Sequence, residues 1–310
     1  MITTVVKVHL PVDETLEIKK MRLEPEQNKG GKRISIVTGI HGDELEGQYV
    51  CYRLSRYIQE NKQYLKGIVD IYPALNPFGI DSITRGIPAF DLDMNRIFPG
   101  SSEGDMNEYL AAKILRDVGG SALVLDIHAS NIFLTEVPQI RINELHEAGL
   151  LPYAREANVD FVWIHGASTV LESTFAYSLN AMGTPTLVVE MGVGMRITQE
   201  YGEQLFQGIV HLMRKMGIWD GEDFAVREPV VSSEAKDVCF LNAATSGIFL
   251  KDKNHGEMLQ KGELIGVIVN PMSGETVDRI ESPVDGWLFT IREYPVVSEG
   301  SLIGRILSKN

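Results

Sequence analysis

Apolar positions along the chain fall into two regimes. From residue 34 to residue 190, short, mainly apolar runs at 34–37, 68–72, 122–127, 161–164 and 186–189 read as buried strands. Segments with helical spacing lie between or after them: Val50, Leu54, Tyr57 and Ile58, then Ala111, Ile114, Leu115 and Val118, then mixed helical sequence over 144–157. Leu205, Ile209, Leu212, Met213 and Met216 follow, closing at Gly217. Strands alternating with helices predict an α/β fold with a mainly parallel sheet. Residues 2–23 alternate in period two and predict two edge strands, followed by a polar loop over 24–32. Residues 79–104 carry glycine, proline and aspartate with little periodicity and predict a long irregular connection. The stretch through Pro138 reads as another loop. Beyond about residue 231 the runs shorten and turns crowd together, which predicts a small all-β unit. The boundary near 220–230 divides the chain into 1–225 and 226–310.

Titratable residues stand at the ends of these strands. The first run leads into Gly39-Ile40-His41-Gly42-Asp43-Glu44, with Glu44 expected in the first turn of the following helix. The run at 122–127 ends at His128, and the run at 186–189 ends at Glu190. Open α/β sheets place their sites at the carboxyl ends of strands. Two imidazoles and a carboxylate make a three-ligand set with a position left open, and a further carboxylate nearby can take a proton from water. His41, Glu44 and His128 are therefore the candidate metal ligands, and Glu190 the candidate base.

Composition narrows the partners. A formal net charge of −13 disfavours nucleic-acid phosphates and anionic membrane surfaces. No run approaches the ~20 apolar residues of a membrane span. Residues 1–8 lack the pattern of a signal peptide, so a cytoplasmic protein is expected. The two cysteines, Cys51 and Cys239, read as inert thiols rather than a disulfide or a zinc site. His9, His146, His211 and His255 read as ordinary structural or surface histidines. His165, at a strand end, is placed beside the cleft but outside the metal set, and Tyr177 is a candidate to close over a substrate.

The motifs Gly39–Glu44, Asn76-Pro77, Arg85 through Asp93-Met94-Asn95-Arg96-Ile97-Phe98-Pro99-Gly100, Leu125-Asp126-Ile127-His128 and Val189-Glu190-Met191-Gly192 resemble the succinylglutamate desuccinylase/aspartoacylase family of the zinc carboxypeptidase superfamily, over most of residues 34–216. The resemblance implies a zinc-carboxypeptidase-like mixed sheet flanked by helices. It implies one Zn2+ per chain on His41, Glu44 and His128, Glu190 as general base and Arg85 as the group polarising the scissile carbonyl. It further implies Asn95 and Arg96 as a clamp for a substrate carboxylate, with Asp93 orienting that clamp. A planar guanidinium suits that task because it makes two parallel charge-assisted bonds. Where many bacterial members follow the ligand histidine with Ser-Gly-Gly, this chain has Ala129-Ser130-Asn131, which bears on acyl selectivity. Asp91 and Asp93 make the clamp loop acidic and leave room for a substrate that also carries a cation.

The C-terminal unit resembles the barrel-sandwich domains of lipoyl and biotinyl carriers, although Lys253 sits in a charged turn without the surroundings of a carrier lysine. The expected activity is zinc-dependent hydrolysis of a small N-acyl amino acid, with room for a homo-oligomer. The alternatives are a metallocarboxypeptidase acting on peptides and a non-catalytic metal-binding or carrier-type protein.

Overall fold

The structure, a computed structural model, describes residues 1–26, 30–166, 172–232 and 237–309. Residues 27–29 of the expected polar loop lie outside the described residues. The first three-quarters of the chain supplies strands β1 (Ile2–His9), β2 (Thr15–Leu23), β3 (Arg33–Thr38), β4 (Ile68–Tyr72), β5 (Leu123–Ala129), β6 (Leu134–Asn143), β7 (Phe161–His165), β8 (Thr186–Gly192) and β9 (Val230–Ser232). Its helices are α1 (Glu46–Glu60), α2 (Pro77–Ser82), α3 (Met106–Val118), α4 (Glu147–Ala154), α5 (Phe175–Ala181) and α6 (Gln199–Lys215). The remainder is all β: β10 (Val238–Asn242), β11 (Gly247–Lys251), β12 (Met258–Leu259), β13 (Leu264–Asn270), β14 (Glu275–Glu281), β15 (Gly286–Arg292), β16 (Val296–Val297) and β17 (Leu302–Ser308).

β4, β3, β5 and β8 run parallel at the centre of a large mixed sheet. β5 is buried along its whole length, which is why its sequence is apolar apart from Asp126 and His128. Alternate side chains serve opposite faces. Ile34, Ile36, Leu125 and Val189 pack under α1 and α6, whereas Val37, Tyr72 and Val124 pack against α3 and α5. With the strands parallel, the ends carrying His41, His128 and Glu190 open on one rim. Cα partnering places His128 directly across from Glu190.

Three local expectations are corrected. Of the two strands expected at an edge, β1 is one and β2 is not, since β2 lies between β1 and β4. Glu44 precedes the helix instead of opening it. α1 starts at Glu46, whose carboxylate accepts bonds from the backbone and hydroxyl of Thr198, while Glu44 stays in the turn facing His41. The turn needs glycine, since a Cβ on Gly42 would lie 1.9 Å from the carbonyl carbon of Gly79. The stretch through Pro138 is not a loop but the ten-residue strand β6. Residues 134–136 of β6 pair with β15 and residues 139–143 pair with β7, and Pro138 lies within the register shift against β8. Proline cannot donate to a ladder, so it sits where the strand changes partners.

That change of partners joins the C-terminal unit to the large sheet. β15, β17 and β10 continue the sheet past β6, and β14, β13, β11 and β16 form a separate antiparallel sheet, with Ile265, Ile268, Leu288 and Ile303 in the core of the unit. Among the described residues no helix is long and apolar enough to cross a membrane.

Candidate active site

His41 and His128 both turn Nδ1 inward. His41 Nδ1 lies 2.7 Å from Glu44 Oε1, His128 Nδ1 lies 2.9 Å from Glu44 Oε2, and the two Nδ1 atoms are 3.3 Å apart. The outward Nε2 atoms meet carboxylates: His41 faces Asp93 at 3.2 Å and His128 faces Asp126 at 3.1 Å. A carboxylate beside Nε2 favours the tautomer with its proton on that nitrogen, which presents the Nδ1 lone pair a metal requires. One ligand atom from each of His41, Glu44 and His128 lies within 4.8 Å of the others. This donor set, two neutral nitrogens and one carboxylate oxygen with a fourth side open to the cavity, fits a divalent ion of zinc's character.

Electrostatics describe the same site. Burial works against a charged His41 and a charged His128, but Asp93 and Glu44 outweigh it for the first, and Asp126 and Glu44 for the second, so both pKa values rise. Burial alone would raise Glu44, yet the two histidines hold it well below the usual carboxylate range. Glu190 moves the other way. Burial raises it, with Arg141 and His128 opposing.

A cavity of about 620 Å³ opens over this group. His41, Glu44, Arg85, Asn95, Arg96, His128 and Glu190 all line it. Arg85 Nη1 donates to Glu44 Oε1 at 2.8 Å. Asn95 Oδ1 accepts from the backbone of Phe175 at 2.8 Å, which orients the amide with its NH2 as the free donor. Asp93 is not on the wall. It accepts from the Asn95 backbone at 2.8 Å, faces His41, and lies 3.5 Å from Arg85 Nε and 4.0 Å from Arg96 Nη2. It therefore meets His41 of the candidate metal group as well as Asn95 and Arg96, the residues expected to clamp a carboxylate. Asp91 is exposed and does not line the cavity. Ser130, Asn131, His146, His165 and Tyr177 do line it. His211 sits between Asp223 and Glu156, each at 2.8 Å, and His255 bonds to Tyr201 at 2.5 Å. Lys253 Nζ pairs with Glu263 at 2.5 Å, in keeping with a structural lysine.

Sequence reading missed Glu136, Arg141 and Arg305, which line the inner wall, and assigned no part to Asp126. Asp126 had a signal: a charged residue inside an otherwise apolar, fully buried strand, two positions before a histidine. Arg141 has none, because the proline at 138 makes its segment read as a loop.

The family model of the succinylglutamate desuccinylase/aspartoacylase catalytic domain matches residues 30–216. The N-alpha-acetyl-L-2,4-diaminobutyric acid deacetylase of Halomonas elongata is 25% identical over 286 residues, 89% of this chain and 82% of that protein. The product-bound structure of the ectoine utilization protein EutE (DoeB) from Ruegeria pomeroyi superposes with a TM-score of 0.83 at 19% identity, covering 99% of this chain and 95% of that one. A succinylglutamate desuccinylase/aspartoacylase from Rhodobacter sphaeroides gives 0.80 at 22% identity, covering 100% and 96%. With the match spanning more than half of its length, including the turn at His41, the strand end at His128 and the strand end at Glu190, the chain belongs to the succinylglutamate desuccinylase/aspartoacylase family.

Proposed function

We propose that the protein is a zinc-dependent amidohydrolase that removes the acyl group from an N-acyl amino acid or a similar small amide. The observation that carries this reading is the convergence of His41, Glu44 and His128 with Glu190, Arg85, Asn95 and Arg96 on one cavity. Zn2+ held by the first three would act as a Lewis acid on the carbonyl and lower the pKa of water. The protein's own groups do the rest. Glu190, raised by burial, takes a proton from the attacking water and returns it to the leaving amine. Arg85 faces the negative charge that gathers on the carbonyl oxygen as it becomes tetrahedral. Arg96 and the Asn95 amide hold the substrate carboxylate, turning binding into orientation of the scissile bond.

The cavity's size is that of small-ligand pockets, which favours small amides over peptides and so weighs against a carboxypeptidase. The relative from Halomonas elongata is named for an N-acetylated amino acid, which supports the same substrate class. In this reading residues 1–225 carry the groups assigned to chemistry and residues 226–310 form the all-β unit that closes the inner wall. The test is a hydrolysis screen of the purified protein against N-acetyl, N-formyl and N-succinyl amino acids with peptides as controls, before and after chelation. Hydrolysis of one acyl amino acid class, lost on chelation and restored by Zn2+, is expected. Peptide cleavage alone would replace the reading with the carboxypeptidase one.

A further inference from the structure

Behind Glu190 runs a chain of charges that ends in the C-terminal unit. Arg141 Nη1, on β6, lies 3.3 Å from Glu190 Oε1, and Arg141 Nη2 lies 2.8 Å and 3.0 Å from the two oxygens of Glu136. Glu136 is wholly buried, and its Oε1, which Arg141 also reaches, accepts from Arg305 Nη1 of β17 at 2.6 Å and from the Thr290 hydroxyl of β15 at 3.0 Å. Both guanidiniums lie over the ring of Trp163, 5.9 and 5.8 Å from its centroid. Arg141 is thus shared between two carboxylates, and its bond to Glu136 is the shorter. What keeps it available to Glu190 is that Glu136 already has another cation.

We infer that Arg305, reaching in from the C-terminal unit, is a positioning residue for the base: by engaging Glu136 it leaves Arg141 free to hold the Glu190 carboxylate. At issue is competition for the fully buried Glu136. Two partly buried arginines, with side chains 26% and 15% exposed, balance Glu136 and Glu190, so each anion has a counterion. Without Arg305, Glu136 has one guanidinium to itself and draws it in, because an unpaired buried carboxylate is costly. The longest link, that from Arg141 to Glu190, is the one that gives. Glu190 then loses the partner that fixes its rotamer. The all-β unit is by this account part of the catalytic apparatus, although nothing in it touches the reacting atoms.

This inference rests on the proposed role of Glu190, and its test separates the two. A crystal structure of Arg305→Gln is expected to show Arg141 turned to Glu136 and its distance to Glu190 grown beyond hydrogen-bond reach. An unchanged Arg141–Glu190 pair overturns the inference whatever the substrate proves to be. Kinetically, Arg305→Gln should lower kcat by ~10-fold or more, the usual size of an outer-shell effect, with KM and bound zinc unchanged, and Arg305→Lys should recover part of the loss. In a Glu190→Gln background the same change should cost less than about two-fold, since it has no base left to act through. Full, independent effects in that background overturn it. Should Arg305→Gln fail to fold, Thr290→Val removes a hydroxyl from the same carboxylate without stranding a charge, and the same displacement and non-additivity are expected on a smaller scale. A wild type inactive on every N-acyl amino acid removes the proposed function, while the crystal structure still decides the geometry.

Discussion

Asp126 and Asp93 show how the candidate metal group is prepared by residues outside it. Each faces the outward nitrogen of one histidine, and together they leave both Nδ1 atoms facing Glu44. Glu190 differs from Glu44 in kind: burial raises its pKa where histidines lower that of Glu44, so one carboxylate suits proton transfer and the other ligation. Glu190→Gln is therefore expected to keep stoichiometric metal by elemental analysis while turnover falls ~10²-fold or more; wild-type turnover would remove Glu190 from the chemistry. Arg96 tests recognition separately. Its side chain is 40% exposed before substrate arrives, so the loss on Arg96→Ala should be moderate, ~10-fold or more in kcat/KM for an N-acyl amino acid. The decisive comparison is the matching carboxamide. Wild type should prefer the acid and Arg96→Ala should not, and equal rates in wild type would end the clamp assignment.

At the scale of elements, much of the site was legible because local pattern and chemistry coincided. His128 and Glu190 end apolar strands and His41 follows one, so their meeting needed only a parallel sheet. The inner wall was illegible for the opposite reason. Proline in mid-segment reads as a break, and only the partner switch on β6 makes Pro138 compatible with a strand and brings Arg141 beside Glu190. Glu44 is expected in the first turn because an acid there is favoured by the helix dipole, yet α1 starts two residues later and Glu46 fills that place. β2 and β4 offer a test unrelated to the site. Asp70 is fully buried and pairs with Arg22 at 2.6 Å and Lys20 at 3.2 Å; burial raises its pKa, but these two cations more than offset it, leaving it lowered. A depressed carboxylate contributes stability that is present above its unfolded pKa, near ~4, and lost as pH falls through the folded value. Asp70→Asn should cost ~3–5 kcal/mol at neutral pH, and the gap to wild type should close as pH falls below ~4 in denaturant titrations. A constant gap across that range would mean that the charge is not what stabilises the pair.

For the molecule as a whole, the C-terminal unit and the α/β body share a sheet, and β15 covers residues 134–136 of β6. A chain ended at residue 225 would leave that strand edge and the anion of Glu136 short of partners. It is expected to associate or aggregate on size-exclusion chromatography, whereas a soluble, monomeric fragment with full activity would reduce the all-β unit to an accessory. The bonds from Glu136 to Thr290 and Arg305 span 154 and 169 positions of sequence. Contacts of such separation form late, because the intervening chain must first lose its freedom. The parallel sheet and its helices, built from nearer neighbours, can therefore be in place while Arg141 has only Glu136 to answer. The pair that would hold the proposed base is then expected to be completed last: during refolding, recovery of hydrolysis should trail recovery of the circular dichroism signal, so that a half-folded chain stays inactive until the final strands have docked.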